Sequence, residues 1–235
     1  MNAPYENEVI RSIREFSDAP VSREELFELL AEATNAPNAR NRQYYSVIAV
    51  SDDKKKRALE KATSGQSFIS SAKHILVFCV DHRRISKLLE KAGIEEDIDR
   101  GGTFLTSFVD VISLSHRFIE LAWKRGIGGV YIGSIQNNMF SLKELLNIGE
   151  GVYPVAMLCC GRFDKLPPKK RRLDPSLFVH YEAYDDGLVE RFIEASGVGS
   201  LAESPSCKTA NSSSAIERNK VAARLFKKYI EKEEL

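Results

Sequence analysis

The chain has 235 residues, 43% hydrophobic and 29% charged, an ordinary globular composition with enough apolar content for one large domain or a domain with an extension. Lys and Arg number 34 against 33 Asp and Glu, so a net charge of +1 gives no field that would favour nucleic acid or an anionic membrane. The opening MNAPYENEVIRSIREF lacks the apolar core of a signal peptide, and the four cysteines form no CxxC pair, which together predict reduced thiols and a cytoplasmic protein.

In chain order, residues 8–17 (EVIRSIREFS) read as a short helix running into a loop. Ser22 and Glu25 make a capping box ahead of Leu26, Phe27, Leu29, Leu30 and Ala33, which predicts an amphipathic helix. A loop dense in amide side chains, residues 35–43, precedes a β-branched strand over 46–50. Asp52 and Asp53 open a charged helix through Ala62, and a loop over 63–66 leads to a second strand over 75–80. Residues 82–92 read as helical, and 93–102 as an acidic connection ended by glycine.

Residues 103–125 predict one long helix, apolar almost all round, which belongs inside protein or at a subunit interface. At about 1.5 Å per residue it spans roughly 35 Å. Asp110, His116, Arg117 and Glu120 interrupt the apolar run and exclude a membrane span. Gly126 supplies a left-handed stop, Gly128 and Gly129 permit close backbone approach, and 130–132 form a third strand whose end opens at Gly133-Ser134. Ser141 and Glu144 predict the cap of a helix through Leu146, and residues 153–160 a strand buried on both faces. A basic run, Lys169 to Arg172, begins an irregular segment through Tyr184. Residues 195–215, rich in Ser, Gly and Ala, read as a loop, and 215–234 as a charged amphipathic helix. A long helix between the second and third strands favours an α+β arrangement over a doubly wound sheet.

Four clusters offer groups suited to a phosphorylated, heteroaromatic ligand. Arg11, Ser12 and Arg14 supply two guanidinium forks and a hydroxyl; in a helix both arginines would face one phosphate, and the alternative is a solvated helix start. Lys169 to Arg172 reads alone as a nuclear signal, a nucleic-acid patch or an exposed loop, and neutral overall charge with no interleaved aromatics counts against nucleic acid. Asn38, Asn41, Gln43 and Gln66 offer donors and acceptors to a ring edge, or form a turn held by its own amides. Gly133-Ser134 presents backbone N–H groups to a ring nitrogen, or is a turn. The glycines spell neither a dinucleotide fold nor a P-loop, the histidines lack metal spacing, and no GxSxG is present. An enzyme without nucleophile or metal draws its chemistry from an organic cofactor.

RSIREF followed by PVSREEL, then APNARNRQYY, GGVYIGSIQNN and KKRRLDPSLFVH, resemble in this order the nitroreductase family of FMN proteins, within its branch of oxygen-insensitive nitroreductases and NAD(P)H–flavin oxidoreductases. The likeness runs over about residues 7–184. It implies an α+β fold with a central mixed sheet around a long buried helix, in an intertwined homodimer with FMN at the interface. It further implies an FMN-binding domain over 1–184 and a divergent extension over 185–235 packed on it. Under the resemblance Arg11, Ser12 and Arg14 hold the phosphate and ribityl end. Asn38 and Gln66 contact ribityl or ring edge, and Tyr131, Ile132, Gly133 and Ser134 lie along the ring. Lys170 and Arg172 return to the cofactor after the last strand.

The implied activity is ping-pong transfer of reducing equivalents from NADPH or NADH to nitroaromatics, quinones or free flavin, with no protein nucleophile and no metal. The partners implied are a second copy of the chain and small-molecule acceptors, with no nucleic acid and no membrane. A flavin-storage or regulatory protein and a reductive dehalogenase of related fold are the alternatives. The chain departs from the pattern at Ile10, where relatives often have His, and in an Asn-rich rather than Ser-rich loop. NADPH-preferring relatives use a basic loop after the last motif, where this chain has only Lys208 between Arg191 and Arg218.

Overall fold

Four hydrophobic runs pair into one sheet in the computed structural model, which describes residues 7–63, 65–96, 98, 101–196 and 213–230. They are β1 (Tyr45–Val50), β2 (His74–Asp81), β3 (Ile127–Tyr131) and β4 (Val152–Arg162), in spatial order β1-β2-β4-β3. All three pairings are antiparallel. Among the described residues the parallel contribution to the sheet is a single bridge between Ser12 and Gly129. The two central strands are buried on both faces, as their unbroken apolar runs require.

Alternation along β2 divides the core. Leu76, Phe78 and Val80 join one apolar cluster, with Leu26 and Leu29 of α1 (Arg23–Ala33) and with Val111, Leu114, Phe118 and Ala122 of α5 (Gly101–Lys124). Ile75, Val77 and Cys79 join the other, with Leu59 of α2 (Asp53–Ala62), Ile69 of α3 (Phe68–Ser71) and Leu142 of α6 (Met139–Leu145). The register of β2 on β4 shifts between Phe78 and Cys79, so that Val155 and Ala156 both face the α1/α5 side. Pro154, which has no N–H to give a ladder, sits at that shift.

The helix starts follow local chemistry in part. Ser22 Oγ caps α1 by accepting from the Glu25 N–H at 3.0 Å, while the Glu25 carboxylate pairs instead with Arg162 of β4 at 2.8 Å. Asp52 caps α2 by accepting from the Lys55 N–H. After β2 comes α4 (Arg83–Lys91). Gly126, at φ 71°, ends α5 as expected.

Two expectations fail. Residues 8–17 are not helical: Ser12 bridges to Gly129, and the Ile13 N–H donates to the Gly129 carbonyl at 3.0 Å. Ile10, Ile13 and Phe16 have helical spacing, but Ile13 is buried against Trp123 and Phe163 while the backbone takes its partner from β3. Along an extended chain Arg11 and Arg14 no longer share a face. Ser141 and Glu144 do not cap a helix either. The first helical residue of α6 is Met139, with Asn138 at the cap position, because burial of Met139 and Leu142 fixes the helix earlier.

On α5 the carboxylate of Asp110 is 4% exposed, and its Oδ1 accepts from the Ala39 N–H at 2.9 Å, tying the amide loop to the helix. Burial pushes its pKa above the ordinary carboxylate value, the Ala39 bond opposing this.

The chain divides into two compact units, Met1–Pro167 with Arg218–Leu235, and Pro168–Glu217. The second carries α7 (Asp186–Ser196), and α8 (Ser213–Ile230) begins there and ends in the first. The expected Ser-rich loop falls mostly outside the described residues, as does the end of the last helix. No helix among the described residues is long and apolar enough to cross a membrane.

Two outcomes follow from this packing. A Cβ at Gly129 would lie 2.7 Å from the Cys159 carbonyl oxygen, so Gly129→Ala should lower unfolding stability by about 1–3 kcal/mol in a denaturant titration. A raised native pKa at Asp110 means the folded chain binds that proton more tightly than the unfolded chain, so its contribution to stability falls as pH climbs from the ordinary carboxylate range through the raised value. Asp110→Asn keeps an acceptor for Ala39, and should flatten that part of the Tm against pH curve.

Candidate active site

The end of β3 is where polar groups are left available. Ile132 N–H donates to the Met157 carbonyl at 2.8 Å, closing the ladder. The next two N–H groups, on Gly133 and Ser134 at the start of a short 3-10 helix (Gly133–Asn137), meet no backbone carbonyl among the described residues. A Cβ at Gly133 would touch nothing within 4 Å, so the backbone is open to an incoming group on that side. Ile132 is buried, and Ser134 Oγ is buried with no hydrogen-bond partner.

Arg14 is exposed, with its guanidinium 5.8 Å from the centroid of the Phe68 ring. Phe68 opens α3, two residues after Gln66, and packs in the same apolar cluster as Val130, Ile132 and Ile135. Ser12, exposed, lies beside Gly129. These contacts gather Ser12, Arg14, Phe68 and Ile132 on the β3 side of the sheet, with Gln66 two residues before Phe68 in the chain.

Arg11 is half-buried, held by donation to the Pro167 carbonyl at 2.7 Å and by Glu8 at 2.8 Å, while its Nε is buried without an acceptor. Tyr131 points the other way along the strand. Its hydroxyl donates to Ser115 Oγ of α5 at 3.1 Å, and Ser115 donates on to the Ile112 carbonyl. Burial of that hydroxyl raises its pKa, while the Tyr131 side chain leaves the residue 42% exposed.

Asn38 is not brought to this group within one chain. Its loop is fastened to α5 through Ala39 and Asp110, and its Oδ1 is buried without a donor. The amides of Asn41 and Gln43 bond each other at 3.2 Å, the turn reading for those two. Lys170 and Arg172 are exposed in the irregular start of the second unit, with no ion pair among the described residues.

Buried polar atoms are normally partnered. Among the described residues six side-chain atoms are not, and Arg11 Nε, Asn38 Oδ1 and Ser134 Oγ are three of them. Half of the unsatisfied set therefore falls on residues picked out by sequence for a phosphorylated heteroaromatic ligand. The Arg11 Nε donor and the Ser134 hydroxyl, with the open backbone N–H groups, suit the phosphate and ring of FMN, while the Asn38 acceptor stands apart on the α5 side.

Burial pushes the Cys79 and Cys159 thiols up to about 12 and Cys160 higher still, so none is a thiolate near neutral pH. Sequence reasoning missed Phe68, Ser115 and the holding role of Asp110. A lone carboxylate in an apolar helix was the available signal for Asp110; the other two depend on contacts distant in sequence.

The model of the nitroreductase family matches residues 11–162. An oxygen-insensitive NADPH nitroreductase of Salmonella typhimurium is 33% identical over 189 residues, covering 78% of this chain and 76% of its own. An FMN reductase (NADPH) of Bacillus subtilis is 33% identical over 177 residues, covering 74% of this chain and 71% of its own. The structure of the Vibrio harveyi NADPH:FMN oxidoreductase complexed with NAD+ is similar at a TM-score of 0.74 and 25% identity, covering 90% of this chain and 94% of that one. With the family model matched over residues 11–162, more than half of its length, the chain belongs to the nitroreductase family.

Proposed function

We propose that the protein is an FMN-dependent NAD(P)H oxidoreductase that reduces nitroaromatics, quinones or free flavin. The observation that carries this reading is the concentration of unsatisfied buried polar atoms on Arg11, Asn38 and Ser134, within a family whose relatives include an NADPH nitroreductase and an NADPH-dependent FMN reductase. Bound FMN supplies two-electron transfer between the nicotinamide donor and the acceptor.

The residues would divide the work of binding. Ser12, Arg14 and Arg11 Nε hold the phosphate and ribityl end, where charge-assisted bonds are the strong ones. Gln66 reaches ribityl or ring edge. The backbone of Tyr131 and Ile132 runs along the ring, and the free N–H groups of Gly133 and Ser134 donate toward a ring nitrogen. Arg14, braced on Phe68, favours negative charge on the ring during turnover. Lys170 and Arg172 add positive charge from the segment after β4. No side chain is required as nucleophile, and the acceptor's proton comes from water. Residues 1–184 form the cofactor domain in this reading, and 185–235 an extension of it.

A second copy would complete the site. Leu105, Val109 and Ile112 make an apolar stripe on α5 and are 55%, 61% and 38% exposed in the single chain. A homodimer closed over that stripe buries it and offers the Asn38 loop, attached to the same helix, to the partner's cofactor. The free state of Cys79, Cys159 and Cys160 supports a reducing compartment, the cytoplasm.

Purified protein should be yellow, bleach with NADPH under anaerobic conditions and recolour on adding a nitroaromatic. Colour without bleaching would mark a flavin-storage protein instead. Arg14→Ala and Arg172→Ala should each lower flavin retained through gel filtration, by about tenfold in affinity; full flavin content in both would remove the site assignment. Val109→Glu places a charge in the stripe and should convert a dimer into a monomer with reduced flavin content, as read by light scattering and absorbance.

A further inference from the structure

Between the start of α5, α6, β4 and α8 lies an apolar cavity of about 230 Å³, walled by Phe104, Phe108, Met139, Val155, Val221 and Leu225. We propose that this cavity binds a compact apolar monocarboxylate, its hydrocarbon part between α5 and α8 and its carboxylate on Arg218 and Gln136. The site is separate from the cofactor contacts, and the inference stands whether or not the oxidoreductase reading does.

The gap follows from the pattern of α8. Arg218, Val221, Ala222 and Leu225, at i, i+3, i+4 and i+7, share one face of that helix and all line the cavity. Leu225, 7% exposed, seats the face in the core, but one turn earlier it carries only valine and alanine, and the space opens there. The surrounding groups are fixed. The Phe104 ring stands edge-on to Tyr153, with centroids 5.6 Å apart at 88°. Arg224 lies over the Phe140 ring at 4.1 Å and fastens α8 to α6.

The polar end consists of Arg218 and Gln136, and no carboxylate lines the cavity among the described residues. Arg218 Nε donates to Asn137 Oδ1 at 3.3 Å, while its two Nη groups meet no acceptor among the described residues. Gln136, half-buried, makes no side-chain hydrogen bond to any described residue. A guanidinium held through Nε with both Nη groups free presents a fork that matches one carboxylate, and the Gln136 amide adds a further donor.

Size and lining restrict the rest of the ligand. An apolar cavity of about 150 Å³ takes a benzene ring, so this one takes a hydrocarbon of about six to eight carbons. A second charge on the ligand would lie unpaired against Phe104 and Met139. An uncharged hydrocarbon would leave Arg218 and Gln136 unused.

The two faces of the sheet separate this cavity from the group around Arg14. Phe104, Met139, Val155 and Leu225 belong to the apolar cluster on the α1/α5 face. Ile132, Ile135 and Phe68, the ring that braces Arg14, belong to the cluster on the other face. Entry is from the surface at Leu105 and Arg218, both exposed. Leu105 is also part of the stripe assigned above to the dimer, so a side chain of the second copy is the rival occupant.

Calorimetry on the purified full chain, titrated with hexanoate, hexan-1-ol and acetate, tests the site. Hexanoate should bind at least about tenfold more tightly than acetate, because its further methylenes are buried. Arg218→Leu should weaken hexanoate about three- to tenfold and leave hexan-1-ol unchanged. Ala222→Leu fills the cavity and should abolish binding of both; Arg218 is exposed, so its variant reports even where the filled core fails to fold. No hexanoate binding by the dimer would assign the cavity to the partner's side chain and overturn the inference. Hexanoate bound no more tightly than acetate, or equally well by both variants, overturns it too. So does hexanoate that competes with a nitroaromatic acceptor and still binds after Ala222→Leu, since it then lies over the flavin. Absence of NAD(P)H oxidation with hexanoate binding intact would overturn the oxidoreductase reading alone.

Discussion

Burial of α5 against one face of the sheet is the constraint to which the other elements answer. Val111, Leu114, Phe118 and Ala122 lie within 2% of complete burial, and each large side chain so placed contributes about 1.5–3 kcal/mol, an upper figure because unfolded chains already bury some surface. A helix held so closely dictates the strand that follows it. At Gly126 the chain reverses into β3, and Gly129 lies with the Ile119 side chain and the β4 backbone where a Cβ would be. The same closeness lets residues 11–13 run beside β3, with Ile13 occupying the room left at Gly128.

That packing leaves the polar chemistry at the margins of the core. β3 ends with its last ladder bond at Ile132, and the following N–H groups have no strand to pair with. Arg14 is braced on an aromatic ring rather than neutralised by a carboxylate, which keeps its charge available to an anion. Thiols, by contrast, lie deep in the sheet and are held protonated. Such an arrangement suits a protein that binds and orients a reactive cofactor.

Asp110 connects the core to the loops. A buried carboxylate is costly, and here one oxygen is offset by the Ala39 N–H while the other has no partner. In return the amide loop is fixed to the helix that carries the apolar stripe. The loop that carries Asn38 and Arg40 is therefore tied directly to the helix that bears the exposed Leu105, Val109 and Ile112.

The order of strands and helices was legible in the sequence because burial sets a period. The continuous apolar run of 153–160 could only be a strand covered on both faces, and Gly126 could only end a helix in a left-handed conformation. The family motifs likewise include Arg11, Asn38 and Ser134, each of which holds a buried polar atom without a partner among the described residues. Spacing alone misread residues 8–17, since Ile10, Ile13 and Phe16 fit a helix as well as they fit an extended segment pinned by Ile13. Their true partner, Gly129, is more than a hundred residues away, and a hydrogen bond over that separation leaves no local trace. Composition, periodicity and motif thus determined the layers and the class of ligand. Which arginine faces which group, which hydroxyl stays unpartnered and where a cavity opens were decided by tertiary packing, because each is a property of side chains brought together from distant parts of the chain.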